Sequence, residues 1–577
     1  MGEIFDNFKE KIKNDYNRLK EDIKETVNHI REGISDAVLN KIDHFIYGFL
    51  EDISNKIHDD DSYYDYKNFA SIKEATNDLK LKKFLERKVC WNDLKNPEIY
   101  KFIKKLPKID LHCHLGGCAR KPDIIKIAET YPPFQELIQI IQSFFMKKSK
   151  EDLEILFQNK PVDVVQAIYT TANINNFKAV HYANIIQYLA KNNLKGLLDS
   201  VYKIKDKSGN AHDLIKNEQS TKWFSNLGLK KYLSLGDWAG STLLQTKEAI
   251  EKAIECLCSY GKEHNLRYLE LRFNPLSYSR EKLTPEDVYK FINNSIQKFR
   301  KDIIINIIFC VGKPKGAENL ELREFKKDLI EIVTLIEEII QSEEDSKGEF
   351  RPRLVGFDIA GLEDYFHEDI RYGASDIIAS TRDEIISLFS KKIFISIHCG
   401  ETQIYKSSMI GGKKKKFNVF INSLIQLGAD RLGHALDIPE QLFHKIKRKN
   451  ITIELCPSSN CHTGLFLKTP WLVLDKFKDD ITVKSLEVNQ LKYPLSKYLN
   501  SDLNVTINTD DPAFSKTDWT KELFLASELS IHQLDLIKII KLIYNGLKGA
   551  FILESEKKKL ELRFNQEIKS TLEELSI

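Results

Sequence analysis

Two histidines, His112 and His114, stand in H-x-H spacing at the end of the apolar, β-branched segment KIDLH (108–112). Alternate side chains of a strand share a face, so both imidazoles point the same way and can chelate one cation. A single H-x-H is a weak signal. Three further groups strengthen it, since His398 closes IFISIHCG (393–400) and Asp510 and Asp511 close LNVTINTDD (503–511). Three neutral imidazoles and a carboxylate suit one zinc ion per subunit. The competing reading, in which each is a separately satisfied polar residue, needs four coincidences on one rim. Glu401 lies three residues beyond His398, where a carboxyl can give and take protons around an activated water. His434 ends RLGH (431–434) and can support that water, and Gly361 in AGLED lets a flat ring approach the backbone closely.

These residues need a scaffold that gathers strand ends. Eight short β-branched segments follow Pro107: KIDLH, RYLELRF (267–273), IIINIIFCV (303–311), LVGFDIAG (354–361), IFISIHCG, RLGH, ITIELC (451–456) and LNVTINTDD. Amphipathic helical sequence fills most of the intervals, which predicts an α/β fold, a (β/α)8 TIM-type barrel over residues 106–577. The C-terminal strand ends of such a barrel carry the active site. The interval from His114 to Arg267 is too long for one crossover and predicts a helical insertion at about residues 122–235. Residues 1–105 read as a helical N-terminal extension. Apolar residues from Ile4 to Phe49 recur every three or four positions, 45 residues in 12 steps, which marks one face of a helix and departs from a strict heptad. So long a stripe must be covered, and homo-oligomerisation through these helices is the expectation.

The chain has 577 residues, with 87 Lys plus Arg against 84 Asp plus Glu, and a net charge of +3. That balance argues against a dedicated nucleic-acid binder. No apolar run approaches the length of a membrane span, and the N-terminus lacks the apolar core of a secretory signal. Nine scattered cysteines do not form a disulfide framework. A cytoplasmic, soluble enzyme acting on a small molecule is expected.

Taken together, KIDLHCHLGG, LELRFNP, FDIAGLE, ISIHCGET, RLGHALD, ELCPSSN and INTDDPA resemble the metal-dependent adenosine and AMP deaminase family, in the family's order, over roughly residues 107 to 570. The resemblance implies zinc held by His112, His114, His398 and Asp510. It implies that Glu401 protonates the purine ring nitrogen beside the attacked carbon and that His434 assists the hydroxide. Asp511 would bond the imidazole side of the purine and Gly361 the remaining ring nitrogen. Replacing an aromatic amino group by oxygen requires a strong nucleophile at neutral pH and a proton for the ring, and this set supplies both.

The chain departs from the adenosine enzymes at two places. Their second histidine is followed by Leu-Asp-Gly, whose acid holds the ribose 5′-hydroxyl. Here the segment is Leu115-Gly116-Gly117, so an acceptor is lost together with a charge that repels phosphate. Arg120 and Lys121 follow directly, and Lys413 to Lys416 form a basic run in the loop after the His398 strand, read either as a solvated face or as an arm that closes over phosphate. Both departures favour an adenine nucleotide, AMP or ATP, over adenosine, with an inosine product and ammonia. A role in nucleotide depletion, as in bacterial antiphage defence, fits the appended helices. An ordinary adenosine deaminase of purine salvage and a non-catalytic barrel scaffold are the alternatives; a scaffold would have lost a ligand or the acid, yet all are present.

Overall fold

The eight expected segments form eight parallel strands in one sheet: β1 (Lys108–His114), β2 (Leu266–Phe273), β3 (Ile304–Gly312), β4 (Leu354–Ala360), β5 (Phe394–Cys399), β6 (Arg431–His434), β7 (Thr452–Leu455) and β8 (Asn504–Ile507). They pair in chain order, each with its sequence neighbour. Closure comes just beyond β8. The Asp510 amide donates to the His112 carbonyl and the His114 amide donates to the Asp510 carbonyl, both at 2.8 Å. The protein is therefore a (β/α)8 barrel. This computed structural model describes residues 79–157, 178–200, 240–313, 319–345, 353–361, 393–401, 421–422, 424–463, 493–530 and 534–574, with shorter pieces at 164, 167–168, 203–205, 211–213, 222–225, 229, 232–233, 388 and 471–474. The N-terminal apolar stripe and Lys413–Lys416 lie outside the described residues.

The barrel interior is unusual in its charge. Glu270 and Arg272 of β2, Asp358 of β4, Arg431 of β6 and Glu454 of β7 are all fully buried. Arg272 pairs with Asp358 at 2.9 Å and with Glu454 at 3.1 Å. Arg431 pairs with Glu454 at 2.7 Å and also with Glu270. Acids and bases alternate around this layer, which is how a buried charge is kept from standing alone. The intervening Leu269, Leu271, Ile453 and Leu455 are buried too, as expected for strands covered on both sides. At the N-terminal end Phe551 closes the barrel. Its carbonyl accepts from Tyr268 Oη (3.0 Å) and Asn306 Nδ2 (2.8 Å), and its ring lies 3.5 Å from the Arg431 guanidinium.

Helices follow their sequence signals. Thr284 accepts from the Asp287 amide while Asp287 answers the Thr284 amide, a capping box ahead of Pro285. Between β1 and β2 the described residues include helices Lys121–Ala128, Gln135–Met146, Lys150–Phe157, Ala179–Lys191 and Lys195–Ser200. They also include short strands that helical periodicity does not show, Lys203–Lys205 with Ala211–Asp213, and Lys222–Ser225. The last pairs antiparallel with Trp471–Leu474 from the β7–β8 connection. Pieces of three and four residues are too short to carry an alternation signal. No helix among the described residues is long and apolar enough to cross a membrane.

Candidate active site

β1 presents His112 and His114, β5 presents His398, and the turn after β8 presents Asp510, all at the C-terminal barrel mouth. One donor atom from each lies within 4.8 Å of all the others. The Nε2 atoms of His112 and His114 each sit 3.4 Å from Asp510 Oδ1, and the Nε2 atoms of His114 and His398 are 3.2 Å apart. The other ring nitrogens decide the tautomers. His112 Nδ1 donates to Glu454 at 2.7 Å, and His398 Nδ1 lies 2.9 Å from Asp358 Oδ2. Each bond turns an Nε2 lone pair into the cluster, the usual outer-shell support of a metal-binding histidine. His112 Nε2 is buried without a hydrogen bond. A buried ring nitrogen without a hydrogen bond, facing two more imidazoles and a carboxylate, fits a cation.

Electrostatics favour neutral rings at three of the four histidines. Burial lowers the pKa of His398, and lowers those of His114 and His434 well below the ordinary histidine value, so these rings are neutral donors. Burial and Arg272 oppose charge on His112, but Asp510 and Glu454 prevail and raise its pKa. Burial works against ionised Asp510, yet the surrounding histidines hold it well below the carboxylate range. Cys456 also lies close to His112, His434 and Asp510. Burial pushes its thiol up, which keeps it protonated and a poor ligand.

Glu401 and His434 complete the site. His434 Nε2 lies 3.6 Å from Glu401 Oε2. Asn460 Oδ1 lies 3.3 Å from both Tyr493 Oη and the Cys456 amide as acceptor, so its Nδ2 faces His434 Nδ1 at 3.0 Å. His434 therefore carries its proton on Nε2, the nitrogen turned toward Glu401. His434 and Asp510 adopt left-handed backbone, with φ of +58° and +60°. Non-glycine residues rarely take that conformation, and it collects at functional sites. Gly361 has φ of +106°, a conformation that glycine alone takes readily.

A cavity of about 280 Å³ opens over this cluster, lined by His114, His398, Glu401, His434, Asp510 and Asp511 among others. Gly116 and Gly361 line it as well. A Cβ at Gly117 would fall 1.9 Å from Asp511 Oδ1, so glycine there is a seat for that carboxyl. Burial and the neighbouring Asp510 push Asp511 well above the ordinary carboxylate range. Arg120 and Lys121 do not line the cavity. They open the helix Lys121–Ala128, where the Arg120 guanidinium bonds Asp123 at 2.8 Å and sits 3.7 Å from the Tyr260 ring centre. Sequence reasoning overlooked Glu454, Asp358, Arg272 and Asn460. The available signal was a charge inside an apolar strand, as in ITIELC and LVGFDIAG.

A (β/α)8 barrel with such a cluster at its C-terminal mouth belongs with the metal-dependent hydrolases of amidine and related bonds. Residues 211–489 and 481–566 match the sequence profile of the family described as Adenosine deaminase, and the chain belongs to that family. An Enterococcus faecalis adenosine deaminase is 28% identical over 342 residues, covering 59% of this chain and 82% of that protein. A Clostridium botulinum adenosine deaminase is 24% identical over 465 residues, covering 80% and 98%. An amidohydrolase from Burkholderia ambifaria, solved with bound Zn, has the same fold at a TM-score of 0.50 and 14% identity, covering 83% of this chain and 95% of that one. The family's reaction is hydrolytic deamination, and its members are metal-dependent.

Proposed function

We propose that the chain is a zinc-dependent deaminase of an adenine nucleotide, AMP or ATP, which it prefers to adenosine. The observation that carries the deaminase chemistry is the convergence of His112, His114, His398 and Asp510 beside Glu401 and His434 in one cavity. Zinc at that cluster supplies the Lewis acidity that makes water a nucleophile at neutral pH. Glu401 delivers a proton to the ring nitrogen next to the attacked carbon, so that negative charge does not build there. The neutral His434 would donate its Nε2 proton in a hydrogen bond to the oxygen of the activated water and orient it toward the ring carbon. Asp511 and the Gly361 backbone hold the two other ring nitrogens and fix the plane of the base. Of the two protons of the water consumed, one replaces the proton that Glu401 gave the ring and the other passes from the added hydroxyl to the amino group, which leaves as ammonia while the C–O bond becomes a carbonyl.

The preference for a nucleotide rests on Gly116. This residue lines the cavity where the resembling adenosine enzymes carry an acid. A nucleoside loses a hydroxyl acceptor there and a phosphate loses a repelling neighbour. A charge-assisted hydrogen bond contributes about 1.5–3 kcal/mol, which is roughly ten- to a hundredfold in preference. Arg120 is engaged by Asp123 and Tyr260, so its attraction for phosphate acts at a distance. Residues 3–55 are proposed to join copies of the chain. The decisive assay follows loss of adenine absorbance with adenosine, AMP and ATP across ionic strength. kcat/KM for a nucleotide should exceed that for adenosine at low salt, and Gly116→Asp should move preference toward adenosine. A wild-type protein that favours adenosine at low salt defeats the reading of Gly116 and supports nucleoside salvage.

A further inference from the structure

The end of the barrel opposite the candidate active site carries a second opening, to which sequence reasoning assigned no role. A cavity of about 630 Å³ lies beside the starts of β1 and β2, a volume within the range of small-molecule sites. Its walls are the helix Pro97–Lys105, the end of the helix Lys247–Glu263 and the final helix Glu554–Glu573. Lys101, Lys104, Lys105, Lys262 and Arg267 line it, against the carboxylates of Glu263 and Glu567. Lys105 pairs with Glu574, Lys262 pairs with Asp302 at 2.6 Å, and Glu567 answers both Arg267 at 2.8 Å and Arg563 at 2.9 Å. Lys101 and Lys104 form no ion pair among the described residues, and the Lys104 ammonium lies 5.9 Å from the Tyr100 ring centre. Six cations against four carboxylates in this group leave an excess of two positive charges. Lysines near the end of a helix often serve only to offset its dipole. Here that task is taken by the buried Lys108, whose ammonium donates to the carbonyls of Ile103 at 2.7 Å and of Lys104 and Leu106 at 2.9 Å. Asn265 Nδ2 covers the Lys105 carbonyl at 2.6 Å. With those carbonyls satisfied, the charges of Lys101 and Lys104 remain available to the cavity they line.

We infer that this cavity binds a phosphate-bearing anion at a site separate from the candidate active site, with Lys101 and Lys104 as its principal contacts. It lies at the N-terminal strand ends, so the inference stands or falls independently of the deaminase reading. Hydrogen exchange of the full chain tests it, with inorganic tripolyphosphate and, separately, uridine triphosphate, which carries three phosphates but no adenine. Either ligand should slow exchange in the helix Pro97–Lys105 and in the final helix, less so as ionic strength rises. Equal affinities assign the site to phosphate alone, and tighter binding of uridine triphosphate assigns it to a nucleotide. Lys101→Gln combined with Lys104→Gln should weaken binding roughly tenfold or more, the worth of one charge-assisted hydrogen bond. Ser570→Glu, on an exposed position lining the cavity from the final helix, adds a negative charge without altering either lysine and should also weaken binding. No slowing of exchange in these helices at millimolar ligand, or undiminished binding in the lysine variant, overturns the inference. Should the lysine variant fail to fold, undiminished binding in Ser570→Glu overturns it in the same way.

Discussion

Replacing Glu454 by Gln tests the link between the ionic layer of the barrel and the metal cluster above it. Glu454 is fully buried, accepts from His112 Nδ1 at 2.7 Å, and faces Arg272 at 3.1 Å and Arg431 at 2.7 Å. Glutamine preserves the shape and one acceptor oxygen but cancels the charge between two arginines. Breaking a buried ion pair from one side costs about 3–5 kcal/mol. Here Arg272 keeps Asp358 and Arg431 keeps Glu270, so the lower figure is expected. A second effect reaches the cluster through His112, whose ring is left with a weaker acceptor. Loss of such an outer-shell partner lowers metal affinity about 10–100-fold. Thermal unfolding of the metal-free protein reads the first effect, and zinc titration against a chromophoric chelator reads the second. Asp358→Asn should act in the same way through His398. Zinc affinity within twofold of wild type alongside lowered stability would show that Glu454 serves the barrel alone.

His398→Ala should abolish tight metal binding together with turnover, and full metal occupancy in that variant by elemental analysis would remove His398 from the ligand set. Glu401→Gln should keep the metal yet lose on the order of 10²-fold or more in kcat, the usual worth of a positioned acid; near-normal turnover would assign the proton to another group. Glu522, buried against Ser458, has its pKa raised to about 8 by burial. An unfolded glutamate ionises at about 4.3, so the native state holds an extra proton between these values and stability falls as pH rises from about 4.3 to 8. Glu522→Gln should flatten that slope in denaturant titrations across this range. An unchanged slope would show that Glu522 is already ionised in the folded protein.

Much of this architecture is written in local patterns. Strand segments such as KIDLH and ITIELC are recognisable because side-chain direction alternates with period two and both faces are covered. Metal-binding and acid residues stand out because polar side chains at the ends of apolar segments are conspicuous wherever the segment lies. The candidate ligand set and its candidate acid are therefore legible in the sequence. Which group supports which is another matter. Glu454 reaches His112 across 342 residues of chain and Asp358 reaches His398 across 40 because strand order and register bring them together, and no local pattern encodes those pairs. Arg120 shows the same limit from the other side, since its position beside the metal motif suggested a phosphate contact, while the fold turns its guanidinium to Asp123 and Tyr260. Tyr232, from the insertion, comes to line the cavity beside Asp511 only in the folded chain. Residue chemistry and side-chain alternation are properties of short segments, whereas partnership in a buried site is a property of packing and exists only in three dimensions.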